Sequence, residues 1–568
     1  MREPGPGVVL VGLPGSGKST VGRLVAERLG RPFADIDELI AARAGMPAAE
    51  YLRTRGEPAF RAVEREALRE ASTDPTAVLA PGAGALSDPL DRWRLWEHGR
   101  AVWLRAPRET LLARLAAAAT PRPLLDGAPG ARLAELAEAR APFYRAADQE
   151  IDASGPPERV AESVVRAVND SPLLPPGRRL FDAEEPRHHP IGPPRARIVF
   201  GHGVVVADAH GAAEPAERGR EPRALRDGLL GEALDAIGGT ARLVADRRAA
   251  VAVGDMHRSA FGGTLPPSTR SDRRLLISGG ERAKGFSTLT RVLAWLSASG
   301  AERGDPVVAL GGGTVIDLAG LAAALHARGA PFVAVPTTWL AQADAALGGK
   351  VAVDLPGAKN GVGAFWPPWA VVADTAALAT LPLARRRDGI VEALKAALIG
   401  DPALWELIAS RGRAALTRTG DAARYAITER AARVKLAIVR RDPFEEGERR
   451  QLNLGHTLGH ALEVESGYRL PHGAAVALGL RAAAAIAAGR GADPALPTAL
   501  HEVLAALGLR VRHRFDRDRV RAALATDKKR HAGRQRWLLP MEIGRVVEVD
   551  DVTQRELARA IEAVHSDA

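Results

Sequence analysis

The chain has 568 residues, more than one hydrophobic core usually organises, so two or three domains are expected. Cysteine is absent, which excludes disulfides and thiolate metal sites; any zinc must sit on His, Asp or Glu, and such sites lean catalytic. Lys and Arg number 78 against 68 Asp and Glu, a net charge of +10, but the arginines are spread among alanines and glycines, which predicts small anionic substrates and no nucleic acid.

The Met1 end runs into "VVLVGLPGSGKST" too soon for a signal peptide, and no apolar run approaches the ~18 residues of a membrane span, so a cytoplasmic protein with no membrane contact is expected. Residues 1–170 alternate strand-like runs with helical stretches: "VVLVG", "STVGRLVAERLG", "PFADID", a charged helical stretch over 57–71, then "TAVLAPGAG" and "AVWLRA". This βα alternation predicts a parallel sheet.

"GLPGSGKST" fits G-x-x-x-x-G-K-[ST] from Gly12 to Ser19, between a buried strand and an amphipathic helix. Gly15, Ser16, Gly17, Lys18, Ser19 and Thr20 would then hold ATP. Backbone N–H groups turn onto the phosphates, Lys18 neutralises their charge and Ser19 ligates Mg2+. Asp35 and Asp37 end the second strand and point the same way, one towards Mg2+ and the other towards a substrate hydroxyl. Arg61, Arg122 and Arg140 follow. Each alone reads as a solvated helix face; together they suit a small acid bearing hydroxyls.

Residues 171–197 are rich in proline and lack periodicity, which predicts a linker, with His188 and His189 in a solvated loop. A second α/β region covers 198–375, where "RIVFGHGVVVAD", "ARLVADRRAAVAV", "RRLLISGGE", "PVVALGGGTVIDLAG" and "PFVAVPTTWL" supply strands with helices between them. Residues 376–568 read as helical nearly to the end, and 209–224 as a polar loop or insertion.

Gly311, Gly312 and Gly313 join a strand to a helix, with Asp317 nearby, and lack the G-x-G-x-x-G spacing; they still allow a pyrophosphate to approach the backbone. Glu281 and Lys284 would meet a ribose and a charged group. Thr337, Thr338, Asp344, Lys350, Lys359 and Asn360 stand among small and apolar residues, where lysines read as anion ligands. "GIVEALK" puts Glu392 and Lys395 on one helix face. Lys435, Arg449, Asn453, His456, His460 and His472 follow, then Lys528 and Lys529. His456 and His460 have the i, i+4 spacing of a metal clip. Three histidines within seventeen residues, with a glutamate upstream, predict a His/His/Glu zinc site with an open position.

Over residues 5–168 the P-loop, the aspartates and the arginines resemble shikimate kinase. That resemblance implies a three-layer α/β/α fold with Asp35 supporting Mg2+ and Asp37 on the substrate hydroxyls. It puts Arg61 and Arg140 on the carboxylate, Arg122 on the transferring phosphate and Arg114 near the nucleotide. The family's triple glycine stands here as Gly82-Ala83-Gly84, with Gly82 and Gly84 beside the substrate.

From 198 to 545 the glycine, lysine and histidine motifs resemble 3-dehydroquinate synthase. The resemblance implies an α/β NAD-binding half and a mainly α-helical metal-binding half. The metal, Zn2+ with Co2+ as substitute, would rest on Glu392, His456 and His472. His460 moves to proton transfer and the substrate phosphate, with Lys350, Asn360, one of Lys528 or Lys529, and Arg328 from a neighbouring subunit, which implies a homodimer. Lys435, Arg449 and Asn453 would face the carboxylate and Lys395 the reacting hydroxyls. NAD+ would take Glu281, Lys284, Asp317, Thr337, Thr338, Asp344 and Lys359. The family's "HGEAV" reads "HGAAV" here, with Ala474 in place of the glutamate.

The expected protein is a bifunctional enzyme of the shikimate pathway, acting on small molecules. Its two reactions are not consecutive, which predicts co-expression rather than channelling. Two alternatives stay open: a kinase-like half that only binds nucleotide, and a related sugar-phosphate cyclase in the C-terminal part.

Overall fold

The computed structural model describes residues 6–82, 84–117, 128–170, 178–189, 191–205, 229–256, 270–271, 273–355, 358–526, 530–531 and 534–566. The chain divides into two compact units, Met1–Glu184 with Val199–His202, and Glu185–Ile198 with Gly203–Ala568. Among the described residues no helix is long and apolar enough to cross a membrane.

In the first unit five parallel strands lie in the order Phe33–Asp35, Val78–Ala80, Gly7–Val11, Gly99–Arg105, Gln149–Asp152. The runs "GVVLV" and "VLA" are buried throughout, so both faces of the sheet need cover. Helices Lys18–Leu29 and Pro157–Asp170 supply part of it: Val21, Val25, Val160 and Val164 join Val8 and Leu10 in one core. The charged stretch expected over 57–71 belongs to a longer helix, Ala48–Ala71, kinked at Gly56, where φ is 78°. Gln149–Asp152 is a strand the sequence analysis does not anticipate, because its residues are mostly polar and only half-buried.

The proline-rich segment 171–197 departs from a plain linker. Residues 171–177 lie outside the described residues, but Arg178–Pro186 is a strand, and Arg195–His202 begins another. The prolines among the described residues fall at the end of the first strand, Pro186, and just before the second, Pro193 and Pro194, so the apolar interiors remain free to pair. The polar stretch 209–224 is outside the described residues.

In the second unit the parallel strands run in the order Ala370–Asp374, Phe332–Pro336, Val307–Gly311, Arg242–Asp246, Arg274–Ile277. "RRAAVAV", expected as strand, is the helix Arg247–Met256, in which arginine and alanine, strong helix formers, outweigh the two valines. An antiparallel hairpin, Lys350–Leu355 with Ala358–Phe365, carries the lysine-rich stretch. The helical half packs Leu383–Gly400, Pro402–Ala415, Asp421–Arg441, His456–Glu465 and His472–Ala488 around one core. It is not helical throughout. Trp537–Glu542 and Arg545–Val549 form a hairpin, turning at Gly544 with φ 92°, before a last helix, Gln554–Val564.

Candidate active sites

The first unit's site forms where the buried strand Gly7–Val11 breaks into glycines and enters helix Lys18–Leu29. Gly15 and Gly17 have φ of 84° and 91°, a backbone only glycine adopts freely, so the loop curls around a cavity of about 380 Å3. Gly15, Ser16, Gly17, Lys18, Ser19 and Thr20 all line it, with Asp35, Asp37, Gly82 and Arg114. Lys18 Nζ donates to the Gly12 and Leu13 carbonyls at 2.9 and 3.3 Å. Asp35 caps helix Ile36–Ala44 by accepting from the Asp37 N–H at 3.0 Å. Arg114 donates to the Ser154 and Gly155 carbonyls at 3.2 and 3.1 Å.

Arg61 Nη1 donates to Glu64 Oε2 at 2.5 Å. A Cβ on Gly84 would lie 2.5 Å from Arg61 Nη1, and one on Gly82 2.6 Å from Glu64 Oε1 and 3.4 Å from Asp37 Oδ1. The two glycines therefore hold backbone close to the charged cluster. Burial pushes the Glu64 carboxyl up, opposed by Arg61 and Arg140 and helped by Asp37. Arg140 is buried, and its Nη1 makes no hydrogen bond among the described residues. Arg122 and Ala83 lie outside the described residues. Glu64 is absent from the sequence analysis: an acid three residues after an arginine reads as an exposed helix pair, yet it is 2% exposed.

In the second unit three helices meet through glycines. A Cβ on Gly479 would lie 1.8 Å from the Gly455 carbonyl oxygen, so helices His456–Glu465 and His472–Ala488 touch backbone to backbone. A Cβ on Gly473 would lie 2.4 Å from Asp388 Cα, which seats the first turn carrying His472 on helix Leu383–Gly400, the helix of Glu392. Glu392, His456 and His472 each present a ligand atom within 4.8 Å of the others. His472 Nε2 is 3.3 Å and His456 Nε2 3.8 Å from Glu392 Oε1. His456 Nδ1 lies 3.1 Å from the Leu454 carbonyl, and His472 Nδ1 3.3 Å from Glu463 Oε1. Each ring is thus held from behind with Nε2 facing inward, the arrangement of an oriented metal ligand. His460 is 5.2 Å from the His456 ring, centroid to centroid, but is not in the three-ligand set. The third ligand atom comes from His472, at the start of helix His472–Ala488, and not from the i, i+4 partner His460. The donor set, two imidazoles and one carboxylate with no thiolate, fits a zinc ion with an open position.

Burial would raise the Glu392 carboxyl, but Lys395, His472 and His456 hold it well below the usual range. Burial would lower the His472 imidazole, but Glu392 and Glu463 push it up to about 10. Lys395 Nζ pairs with Glu392 at 2.5 Å and with Asp344 at 3.5 Å. Lys435 Nζ pairs with the Asp344 carboxylate and donates to its carbonyl at 2.6 Å. Burial pulls Lys435 down to about 8, against the pull of Asp344 and with the help of Arg449.

Arg449, 1% exposed, donates Nη2 to the Gly348 carbonyl at 2.8 Å. Asn453 Nδ2 donates to Glu445 Oε1 at 3.0 Å, and Lys350 pairs with the same carboxylate. Lys284 Nζ reaches Asp317 and Asn360 Oδ1, both at 2.5 Å. Asn360, expected beside the phosphate with Lys350, thus meets Lys284 of the expected cofactor set. Lys359 bridges Glu281 and Glu463 at 3.1 and 3.2 Å. Thr337 donates its N–H to the Gly311 carbonyl at 2.9 Å, and a Cβ on Gly312 would meet Thr338 at 3.0 Å. Gly313 opens helix Gly313–Leu325, and Arg328 is exposed in the turn after it. Lys528 and Lys529 lie outside the described residues. The sequence analysis misses Glu445, Glu463 and Asp246, whose Oδ2 lies 2.1 Å from the Cβ that Gly279 lacks. Glu463 stands three residues after His460, a spacing that could have flagged it.

Family models match in three places: shikimate kinase over residues 14–169, the 3-dehydroquinate synthase N-terminal region over 274–388 and its C-terminal region over 389–530. A 3-dehydroquinate synthase of Xanthomonas campestris pv. campestris is 43% identical over 291 residues, 49% of this chain and 78% of that protein. One from Rhodopseudomonas palustris is 42% identical over 294 residues, 49% of this chain and 76% of that protein. A solved 2-epi-5-epi-valiolone synthase of Streptomyces hygroscopicus, with NAD+ and Zn2+ bound, is 29% identical at a TM-score of 0.55, covering 66% of this chain and 98% of that one.

Proposed function

Because the chain belongs to the 3-dehydroquinate synthase family and carries ahead of that region one matching the shikimate kinase model, we propose that it catalyses both reactions. The synthase part would convert 3-deoxy-D-arabino-heptulosonate 7-phosphate to 3-dehydroquinate with release of phosphate. The kinase part would transfer the γ-phosphoryl group of ATP to shikimate. The observation that carries the first reading is the Glu392, His456 and His472 set beside the Lys395–Asp344–Lys435 charge chain. It supports a site that holds a metal next to buried cations suited to an anionic sugar acid.

When bound, Zn2+ supplies a Lewis acid for substrate hydroxyls and NAD+ a reversible two-electron acceptor. Lys395, held between Glu392 and Asp344, donates to the reacting hydroxyls. Lys435, Arg449 and Asn453 receive the carboxylate. Lys350, Asn360 and His460 surround the phosphate, with Lys528 or Lys529, and Arg328 reaches it from a second copy of the chain. The proton removed beside the transient ketone leaves with the phosphate, and His460 stands where it can carry it. Gly311–Gly313, Thr337 and Thr338 would hold the cofactor, with Asp317, Lys284, Glu281, Lys359 and Asp344 for its polar groups.

In the kinase half, Lys18 and the P-loop N–H groups hold the ATP phosphates, Ser19 and Asp35 support Mg2+, and Arg122 steadies the transferring group. Asp37 orients the shikimate hydroxyl for attack, and Arg61 and Arg140 clamp the carboxylate.

The test is an assay of the purified full chain on both substrates, with and without NAD+ and a zinc-selective chelator, in excess Mg2+. Expected is synthase turnover that needs NAD+ and is lost with the zinc, and kinase turnover indifferent to both. Synthase turnover surviving complete metal removal would overturn the zinc assignment. ATP binding without shikimate turnover would reduce the first unit to a nucleotide sensor.

A further inference from the structure

The segment between the two family matches contains a short strap that belongs to the second unit, Glu185–Ile198. Its centre is Arg187, 4% exposed. Arg187 donates Nη1 to the Ile191 carbonyl at 2.5 Å and to the Pro193 carbonyl at 3.2 Å, and Nε to the Pro367 carbonyl at 3.2 Å. Its N–H donates to the Pro194 carbonyl at 2.8 Å, and its guanidinium lies over the Trp369 ring at 5.3 Å. One arginine thus closes the strap on itself and ties it to the "WPPW" stretch of the synthase part.

The strap also presses on the other tryptophan. The His189 ring meets Trp366 edge-on, 4.2 Å between centroids, so it is not in a solvated loop. Trp366 is 6% exposed and donates Nε1 to the Ala330 carbonyl at 3.2 Å. A Cβ on Gly329 would lie 2.5 Å from Trp366 Cη2 and 3.3 Å from Ile191 Cδ1. The chain before Gly329 is held in an unfavourable path: Ala327 and Arg328 have φ of 49° and 62°, and Gly329 122°. Two successive non-glycine residues at positive φ persist only where surroundings fix them. Here the surroundings are Trp366 and Ile191 against Gly329, with His189 on Trp366, besides the hydrogen bonds from the Gly329 N–H to the His326 carbonyl and from the Ala330 N–H to the Ala323 carbonyl.

We infer that the strap is a positioning element of the synthase: His189 and Ile191, acting through Trp366 and Gly329, set the turn that presents Arg328. This rests on the reading that Arg328 binds the substrate phosphate. The segment joining the two halves would then be a working part of the second enzyme.

The test uses the full chain. Arg328→Ala is expected to raise KM for the heptulosonate phosphate on the order of tenfold, with kcat little changed and inhibition by inorganic phosphate weakened in parallel, as for loss of one charge-assisted contact. His189→Ala with Ile191→Ala should reproduce that pattern, and His189→Phe, which keeps an aromatic edge on Trp366, should not. Adding Arg328→Ala to the strap pair should cost nothing further. Strap variants with wild-type KM, or losses that multiply with Arg328→Ala, overturn the strap's role while leaving Arg328 in place. Wild-type behaviour of Arg328→Ala itself removes the phosphate reading and the inference with it.

Discussion

The kinase pocket and the synthase site are built in opposite ways. The first has a contiguous nucleus: Gly15 to Thr20 line the cavity in one strand–turn–helix with left-handed glycines, and Asp35, Asp37, Gly82 and Arg114 complete its wall. The second is distributed: Glu392 arrives on one helix, His456 and His472 on two others, and glycines at 455, 473 and 479 let the backbones close. The electrostatics differ in the same sense. In the first site Arg61 is held by Glu64 while the buried Arg140 Nη1 has no hydrogen bond among the described residues, whereas in the second Lys395, Lys435, Lys350 and Lys359 are each held by a carboxylate. A contiguous site is ordered by its own turn; a distributed one needs internal ion pairs to keep its cations in place.

The sharpest way to separate the two is to delete one group from each. Glu392→Ala removes a ligand and leaves Lys395 buried without its nearer partner. Synthase turnover should fall roughly a thousandfold or more, with zinc content near zero by metal analysis, while the kinase rate of the same preparation holds. Lys18→Ala should do the reverse, lowering kinase turnover on the order of a hundredfold or more with zinc content unchanged. Loss of both activities in either variant would break the contrast.

Next in size is Glu463→Gln. Its carboxylate backs His472 Nδ1 at 3.3 Å and also holds Lys359. Removing the charge should weaken zinc binding by about 10- to 100-fold. Competition against a chromophoric chelator reads that directly, and the absorption bands of the cobalt-loaded protein should shift. An unchanged affinity would mean that the helix contacts alone orient the ring.

The same contrast decides what the sequence could disclose. The P-loop is legible because spacing, glycine and the flanking strand and helix all lie within one stretch, and the structure puts those residues around one cavity. The histidines are not: i, i+4 spacing favours His456 with His460, and only the glycine contacts decide that His472 faces Glu392 instead. The buried acids Glu64 and Glu463, and the half-buried Glu445, look like ordinary charged helix or loop residues, since burial is a property of packing and not of composition. Arg178–Pro186 and Trp537–Glu542 are hidden for another reason: proline content and a helical neighbourhood outweigh short apolar runs that pair with the next strand in sequence.

The smallest effect concerns how the distributed site keeps its charge. Lys435 sits deep enough that burial brings it down to about 8, even with Asp344 beside it. Below that value the ammonium carries its proton and, on the proposed reading, receives the substrate carboxylate. Above it the ammonium is lost, so KM for the heptulosonate phosphate should climb by up to about tenfold per pH unit while kcat changes less. Lys435→Arg, whose guanidinium keeps its proton, should flatten that limb, although the fork meets Asp344 differently from an ammonium. Unfolding would not mimic the effect. Between about 8 and the ~10.4 of an unfolded lysine, the unfolded chain binds more protons than the folded one, so this group makes stability rise with pH. The kinase reaction, run on the same samples, reports independently that the chain is intact. A KM that stays flat from about pH 7 to 9.5 with a working kinase would take Lys435 away from the carboxylate.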